Sequence, residues 1–184
     1  MKSWSDWMIK RSVIHLSGRQ GWGWMAVVVG MFLASVGRGA VEGTTVPGDV
    51  AKLKRKKCVP PANAPLAVQR AVWATNHLLD LPYLYGGGHG NFVDRGYDCS
   101  GTVSFFLHQA GVLATPMSSG DFLSYGVAGP GKWVTVYARS GHAFAVICGV
   151  RLDTTGPSGG EEGPRWHPND RGPKGFAIRH PEGM

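Results

Sequence analysis

Long apolar runs, paired cysteines and charged residues are all scarce in this sequence. The longest apolar run, residues 24–36, is shorter than the roughly 20 residues that a membrane-spanning helix needs. Three cysteines permit at most one disulfide. Charged residues are only 17% of the chain, and no zinc-finger, helix-turn-helix or P-loop spacing occurs. These absences argue against a nucleic-acid-binding or nucleotide-binding protein.

The net charge of +7 depends largely on the N-terminal segment. Removing the five basic side chains and one acid of residues 1–40 leaves 14 basic and 11 acidic groups, a net charge of +3. That bias is compatible with anionic polymers but is too weak to indicate a nucleic-acid partner.

Residues 1–40 have the features of a targeting segment. Lys10, Arg11 and Arg19 precede the apolar run, and the small residues Gly37 and Ala40 follow it. This order predicts a signal peptide, with an uncleaved N-terminal membrane anchor as the alternative. Either one predicts an extracytoplasmic protein, secreted or associated with the cell envelope, and the anchor would tether it to the membrane.

The rest of the chain divides into a linker and one domain. Residues 41–65 contain the basic run 52–57 and Pro60-Pro61, which predict a linker. Residues 66–184 are predicted to form the domain, with helices first (66–79, and a second after Asp98) and strands afterwards. The predicted strands are 132–138, 142–147, 150–154 and 175–179, with a loop over 155–174. This order indicates an α+β fold, with N-terminal helices packed on an antiparallel sheet.

The clearest chemical signal is Asp98-Cys99-Ser100-Gly101, where a glycine-rich loop meets the second helix. A helix N terminus carries partial positive charge and unpaired N–H groups, so it favours the thiolate form of a cysteine. Asp98 is suited to cap this helix. We therefore interpret Cys99 as a nucleophile; the alternative is a buried structural cysteine.

A cysteine nucleophile needs a base, and His142 is the best candidate because it begins an apolar strand. If this strand and the next form a hairpin turning at Cys148-Gly149, Ile147 opposes Val150. His142 and Asp153 then share one face as diagonal neighbours, and Asp153 could orient the imidazole. A turn one residue longer would reverse this. His180 is a rival third member. His77, His89 and His167 are predicted to be exposed or in loops, and His89 could line the cleft.

The remaining cysteines allow two interpretations. Cys58 could pair with Cys148 and leave Cys99 free, or Cys148 could be a small buried hydrophobic residue.

These segments carry a family resemblance. Residues 82–87 (PYLYGG), 97–101 (YDCSG) and 140–143 (SGHA) resemble the signature of NlpC-type cell-wall cysteine peptidases. The resemblance covers roughly residues 66–155. It implies a papain-like fold and cleavage of peptide bonds in peptidoglycan stem peptides, commonly between D-glutamyl and diaminopimelyl residues. Peptidoglycan would be the partner, and no cofactor or metal is implied.

The resemblance also implies roles for individual residues. Cys99, His142 and Asp153 match the catalytic positions. Tyr83 matches a tyrosine near the oxyanion site, Asp98 and Ser100 match positions near the substrate amine and the cleft, and Ser118 lies in the segment that lines the groove. Two positions depart from the family pattern. Tyr85 stands where tryptophan is usual, and the third catalytic residue is most often histidine.

Three other functions remain open at this point. An N-acetylmuramoyl-L-alanine amidase would use the same Cys–His pair between sugar and peptide. A catalytically idle wall-binding domain would use the same cleft. A zinc site could use Cys99, His142 and Asp153, although no short-spaced ligand pair supports it.

Overall fold

The computed structural model describes residues 43–184. The predicted signal peptide or anchor over 1–40 lies outside the described residues. No helix within residues 43–184 is long and apolar enough to cross a membrane.

The order of elements is helices first and a sheet afterwards. A short hairpin, β1 (Lys52–Lys54) and β2 (Lys57–Val59), precedes helices α1 (Leu66–Thr75) and α2 (Cys99–Gln109). A 3-10 helix (Asp121–Ser124) leads to six strands: β3 (Val127–Ala128), β4 (Val134–Arg139), β5 (His142–Ile147), β6 (Val150–Thr155), β7 (Glu161–Pro168) and β8 (Ala177–His180). These six form one antiparallel sheet in the order β3-β8-β4-β5-β6-β7. The α+β prediction is confirmed.

Helix α2 is the central helix of the domain. It packs against α1 on one side and against β5 and β6 on the other. Every residue from Cys99 to Leu107 is buried, so this part of the helix is enclosed by other elements on all sides. Phe106 and Leu107 of α2 belong to the same hydrophobic core as Leu152 of β6.

The β5–β6 hairpin has the register that the sequence predicts. Its two turn residues, Cys148 and Gly149, both have positive φ angles, of 48° and 84°. Positive φ at both central positions is the conformation of a type I′ turn, which matches the twist of paired strands. Ile147 consequently pairs with Val150, and Ala145 with Leu152.

Residues 43–65 differ from the predicted linker, because they fold onto the domain. Val46 bridges to Pro61, and the basic run forms the exposed β1–β2 hairpin. Cys58, on the inner face of β2, is only 1% exposed and belongs to the main core. Alternation of exposed lysines with inward-facing Leu53 and Cys58 explains how so charged a segment can be a strand.

The predicted loop over 155–174 is wrong for its middle part, which forms β7. This strand pairs with β6, with a register irregularity between Asp153 and Thr155. Trp166 and His167 are buried on it, so His167 is not the exposed or loop histidine that we predicted. The glycines and prolines of this region obscure the alternating pattern that would identify a strand.

All three cysteines are free and buried. The disulfide interpretation of Cys58 and Cys148 is therefore not realised, and both belong to the main core as small apolar side chains.

Asn76 joins three parts of the domain. Its side chain accepts the Cys58 N–H at 3.0 Å and donates to the Cys58 carbonyl at 2.9 Å. It also accepts the indole N–H of Trp166 at 2.9 Å.

We expect Asn76→Ala to lower the free energy of unfolding by about 2 kcal/mol, because it leaves buried donors unpaired. Urea denaturation measures this; Asn169→Ala, at an exposed position, is the control, and equal stability of the two variants would contradict the prediction.

Candidate active site

The glycine-rich loop (residues 83–90) is held against the segment that leads into α2. Tyr83 and Tyr97 form a parallel bridge, and the Asp98 N–H donates to the Gly87 carbonyl at 3.3 Å. A side chain at Gly101 would overlap the Gly87 carbonyl oxygen. Glycine at position 101 therefore lets the loop lie directly on the first turn of the helix.

Asp98 is the N-cap of α2, as predicted. Its Oδ1 accepts the Gly101 N–H at 2.7 Å, and its Oδ2 accepts the Gly86 N–H at 3.0 Å. The Ser100 hydroxyl and the His89 ring nitrogen Nε2 also lie within 3.1 Å of Oδ1. The carboxylate thus ties the loop to the helix and fixes the backbone on both sides of Cys99.

His142 and Asp153 meet as the hairpin register requires. His142 Nε2 lies 3.1 Å from Asp153 Oδ1, and both residues are buried. The Thr155 backbone N–H also donates to Oδ1, at 3.1 Å. Asp153 is therefore held in place independently of the histidine and is able to orient the imidazole.

The imidazole of His142 also interacts with the side chain of Cys99. Burial alone would lower the pKa of His142, but hydrogen bonds with Asp153 and Cys99 outweigh it and raise the pKa to about 9. Burial opposes ionisation of Asp153 as well, yet its hydrogen bonds with His142 and Thr155 leave its pKa below the usual value. The arrangement favours an ionised Asp153 beside a protonated His142.

Cys99 is only 7% exposed, but it lines an open cavity of about 280 Å³. The four residues predicted to bind substrate, Tyr83, Asp98, Ser100 and Ser118, all line it. His89 lines it too, as the sequence suggested. The structure thus brings the predicted nucleophile and the predicted substrate-binding residues to one cleft.

Tyr83 keeps its phenol proton in this cleft. Burial, together with the negative charge that Cys99 and Glu161 can carry, raises the pKa of Tyr83 to about 12. A protonated phenol at the cavity wall is able to donate a hydrogen bond.

Two charged residues of the site were missed by the sequence interpretation. Glu161 Oε1 lies 3.8 Å from His142 Nδ1, and Arg171 Nη1 donates to Asp153 Oδ2 at 2.6 Å. Both come from the region predicted as a loop, so no periodic pattern indicated which way they would face. His180, the rival third member, instead lies 2.9 Å from the Gly129 carbonyl through its Nδ1.

A larger cavity, of about 690 Å³, lies at the β1–β2 hairpin. Its lining includes Lys54, Arg55, Lys56 and Lys57 but no cysteine or histidine, so it offers no nucleophile–base pair. Within residues 43–184, no group of three His, Cys, Asp or Glu side chains is arranged to hold a metal ion.

No family model matches the chain, and no curated protein matches it. Solved structures do. An NlpC/P60 family protein from Bacillus cereus is 19% identical, with a TM-score of 0.47 over 61% of this chain and 39% of that protein. The peptidoglycan hydrolase RipB from Mycobacterium tuberculosis is 24% identical, with a TM-score of 0.48 over 66% of this chain and 68% of RipB. The P60 domain of an M. avium subspecies paratuberculosis antigen is 21% identical, with a TM-score of 0.44 over 61% of this chain and 93% of that domain.

Two of these structures are an NlpC/P60 family protein and a P60 domain, and all three have TM-scores below 0.5 with this chain. The resemblance seen in the sequence motifs names the same family. In this domain the motif containing Cys99 begins α2, and the motif containing His142 begins β5.

The three thiols should differ sharply in reactivity. Burial raises the pKa of both Cys58 and Cys148 to about 12, whereas Cys99 lines the open cleft beside a protonated imidazole. We expect iodoacetamide to alkylate Cys99 at neutral pH and to leave the other two unmodified, because only a thiolate reacts. Peptide mass spectrometry identifies the labelled site, with Cys99→Ser as the control. Labelling of Cys58 or Cys148 first in the folded protein would contradict this.

Proposed function

We propose that this protein is a peptidoglycan hydrolase of the cysteine peptidase type, with Cys99 as nucleophile, His142 as base and acid, and Asp153 as the orienting residue. The observation that carries the proposal is a buried hydrogen bond of 3.1 Å between Asp153 and His142, whose imidazole also interacts with Cys99, a thiol that begins α2 and lines an open cleft. The three-residue arrangement is one that activates a nucleophile.

In the first half of the reaction, the Cys99 thiolate attacks the carbonyl carbon of a peptide bond and forms a C–S bond. The first N–H groups of α2 have no partner within the helix and are suited to stabilise the oxyanion that develops beside the sulfur. Tyr83, protonated at the cleft wall, is suited to donate to the same region. The C–N bond then breaks, and His142 gives its proton to the leaving amine.

In the second half, water replaces the amine. The now neutral His142 takes a proton from water as the water attacks the thioester carbon, the C–S bond breaks, and the acyl group leaves as a carboxylic acid, which loses its remaining proton to the solvent. Cys99 and His142 return to their starting protonation. Because Asp153 accepts the Nε2 proton of His142, Nδ1 is the nitrogen that exchanges a proton with the leaving amine and with water.

The substrate class comes from the cleft motifs, which resemble those of NlpC-type enzymes. That resemblance favours a stem-peptide bond, with the D-glutamyl–diaminopimelyl bond as the specific candidate. It also favours action outside the cytoplasm, on the cell wall.

Removal of either reacting group tests the mechanism. We expect Cys99→Ala and His142→Ala to lower hydrolysis of purified peptidoglycan by at least about 1000-fold, since residues of such a site act as a unit. Release of soluble fragments measures this. Cys148→Ala is the matched control, because it removes a thiol outside the cleft. Activity retained in both Cys99→Ala and His142→Ala would refute the enzyme, and would favour a wall-binding domain if these variants still bind peptidoglycan.

The products separate the peptidase from the amidase. Mass spectrometry of digested wall should show a new amino terminus within the stem peptide, at diaminopimelate if the specific candidate is right. A free L-alanine amino terminus, with the sugar released intact, would instead identify an amidase.

The pH dependence tests the role of His142. His142 is protonated below its pKa of about 9, and only the protonated form can donate to the leaving amine. Activity should therefore persist through neutral pH and fall as the pH rises through about 9. Asp153→Asn removes the carboxylate that helps to raise the pKa of His142. The alkaline limb of the pH–activity profile of this variant should therefore lie at lower pH than that of the wild type. An unchanged limb in Asp153→Asn would show that Asp153 does not act on His142.

A further inference from the structure

Arg171 is a charged residue that contacts the proposed catalytic residues and has no part in the mechanism above. It lies between β7 and β8 and donates through Nη1 to Asp153 Oδ2 at 2.6 Å. The same nitrogen is 3.3 Å from His142 Nε2. We propose that Arg171 is a positioning residue that shares the charge of Asp153 and thereby sets how readily His142 releases its proton.

The two oxygens of Asp153 are divided between different partners. Oδ1 lies 3.1 Å from His142 Nε2 and accepts the Thr155 N–H at 3.1 Å, while Oδ2 accepts from Arg171. Because Arg171 holds Oδ2, the carboxylate is turned so that Oδ1 faces the imidazole. An arginine–carboxylate hydrogen bond is charge-assisted and stronger than a neutral one.

The second effect of Arg171 is electrostatic. A cation beside Nε2 disfavours the imidazolium, whereas Asp153 favours it. The Asp153 side chain is fully buried and that of Arg171 is 22% exposed, so solvent screens the interaction only in part. Arg171 therefore weakens the hold of Asp153 on the His142 proton without removing it.

Other charged groups surround this pair. Cys99 faces His142 from α2, and Glu161 faces its Nδ1 from β7 at 3.8 Å. Arg151 Nε, on β6, lies 3.7 Å from Asp153 Oδ2 and also pairs with Asp170. Arg171 is the cation with the shorter contact to Asp153 and the one that also lies beside His142.

The aromatic surroundings hold Arg171 in place. Its guanidinium carbon lies 5.1 Å from the Phe144 ring centre and 5.4 Å from that of Phe176. A planar guanidinium stacks on such rings better than an ammonium does. Arg139, on β4, lies over the same Phe176 ring at 4.9 Å and is the cross-strand partner of His142, and among residues 43–184 it forms no ion pair. It is therefore a control for loss of a nearby arginine that does not pair with Asp153.

The experiment is a titration of the His142 imidazole by NMR in the complete protein, which needs no substrate. The variants are Arg171→Gln, Arg171→Met, which keeps an apolar chain against the two rings, and Arg171→Lys, which keeps the charge. We expect both neutral variants to raise the pKa of His142 by about one unit. Arg171→Lys should titrate closer to the wild type than either neutral variant. The imidazole of Arg139→Gln should titrate closer to the wild type than that of Arg171→Gln, because Arg139 does not pair with Asp153.

The hydrolysis of peptidoglycan is the second readout. A general acid with a higher pKa is a weaker acid. In both neutral variants we therefore expect the alkaline limb of the pH–activity profile to shift to higher pH together with the pKa of His142, and kcat to fall about threefold to tenfold. A pKa of His142 that stays in place or falls in both neutral variants would overturn the proposal, as would an equal shift in Arg171→Lys.

This inference rests on the proposed pairing of Cys99 and His142, but the two can fail separately. A shifted imidazole in a protein that releases no wall fragments would refute the proposed function and leave the role of Arg171 intact. If the protein hydrolyses the wall but the pKa of His142 does not change in the Arg171 variants, the proposed function would stand and the role of Arg171 would be refuted.

Discussion

The pairing of β5 with β6 is the constraint on which the candidate site depends. The type I′ turn at Cys148 and Gly149 sets Ile147 opposite Val150. Because side chains alternate along a strand, a shift of one residue would turn Asp153 to the opposite face of the sheet from His142. The catalytic proposal thus depends on the conformation of a two-residue turn at the far end of the hairpin.

Helix α2 joins this hairpin to the glycine-rich loop. Its buried face packs on β5 and β6, while Asp98 at its N-cap binds the loop through both carboxylate oxygens. One helix terminus therefore places Cys99 beside the imidazole and also places the loop that forms the cleft wall. Movement of the helix along the sheet would therefore separate the thiol from its base and, at the same time, disturb the cleft.

Charge in the site is balanced by residues from different parts of the chain. Asp153 stabilises the protonated His142, and Arg171 opposes it from a connection that follows β7. Glu161, on β7 itself, faces the other imidazole nitrogen. The basic β1–β2 hairpin, by contrast, lines a separate cavity and not the cleft that contains Cys99. Electrostatics around the His142 imidazole are therefore set mainly by the C-terminal half of the domain, although the Cys99 thiol comes from the helical half.

Local patterns in the sequence determined the two helices, the strand that begins at His142 and the placement of Asp98 as a cap, and they made the hairpin register depend on the length of its turn. Each depends on residues close together in the chain: periodicity, an N-cap residue, or a two-residue turn. Only the tertiary structure decided that residues 43–65 pack onto the core, that β7 exists, and that Arg171 reaches Asp153. These features depend on contacts between distant segments, such as Asn76 with Cys58 and Trp166. Burial and pairing across such distances leave no periodic trace in charged or glycine-rich stretches, so they arise only when the chain is folded.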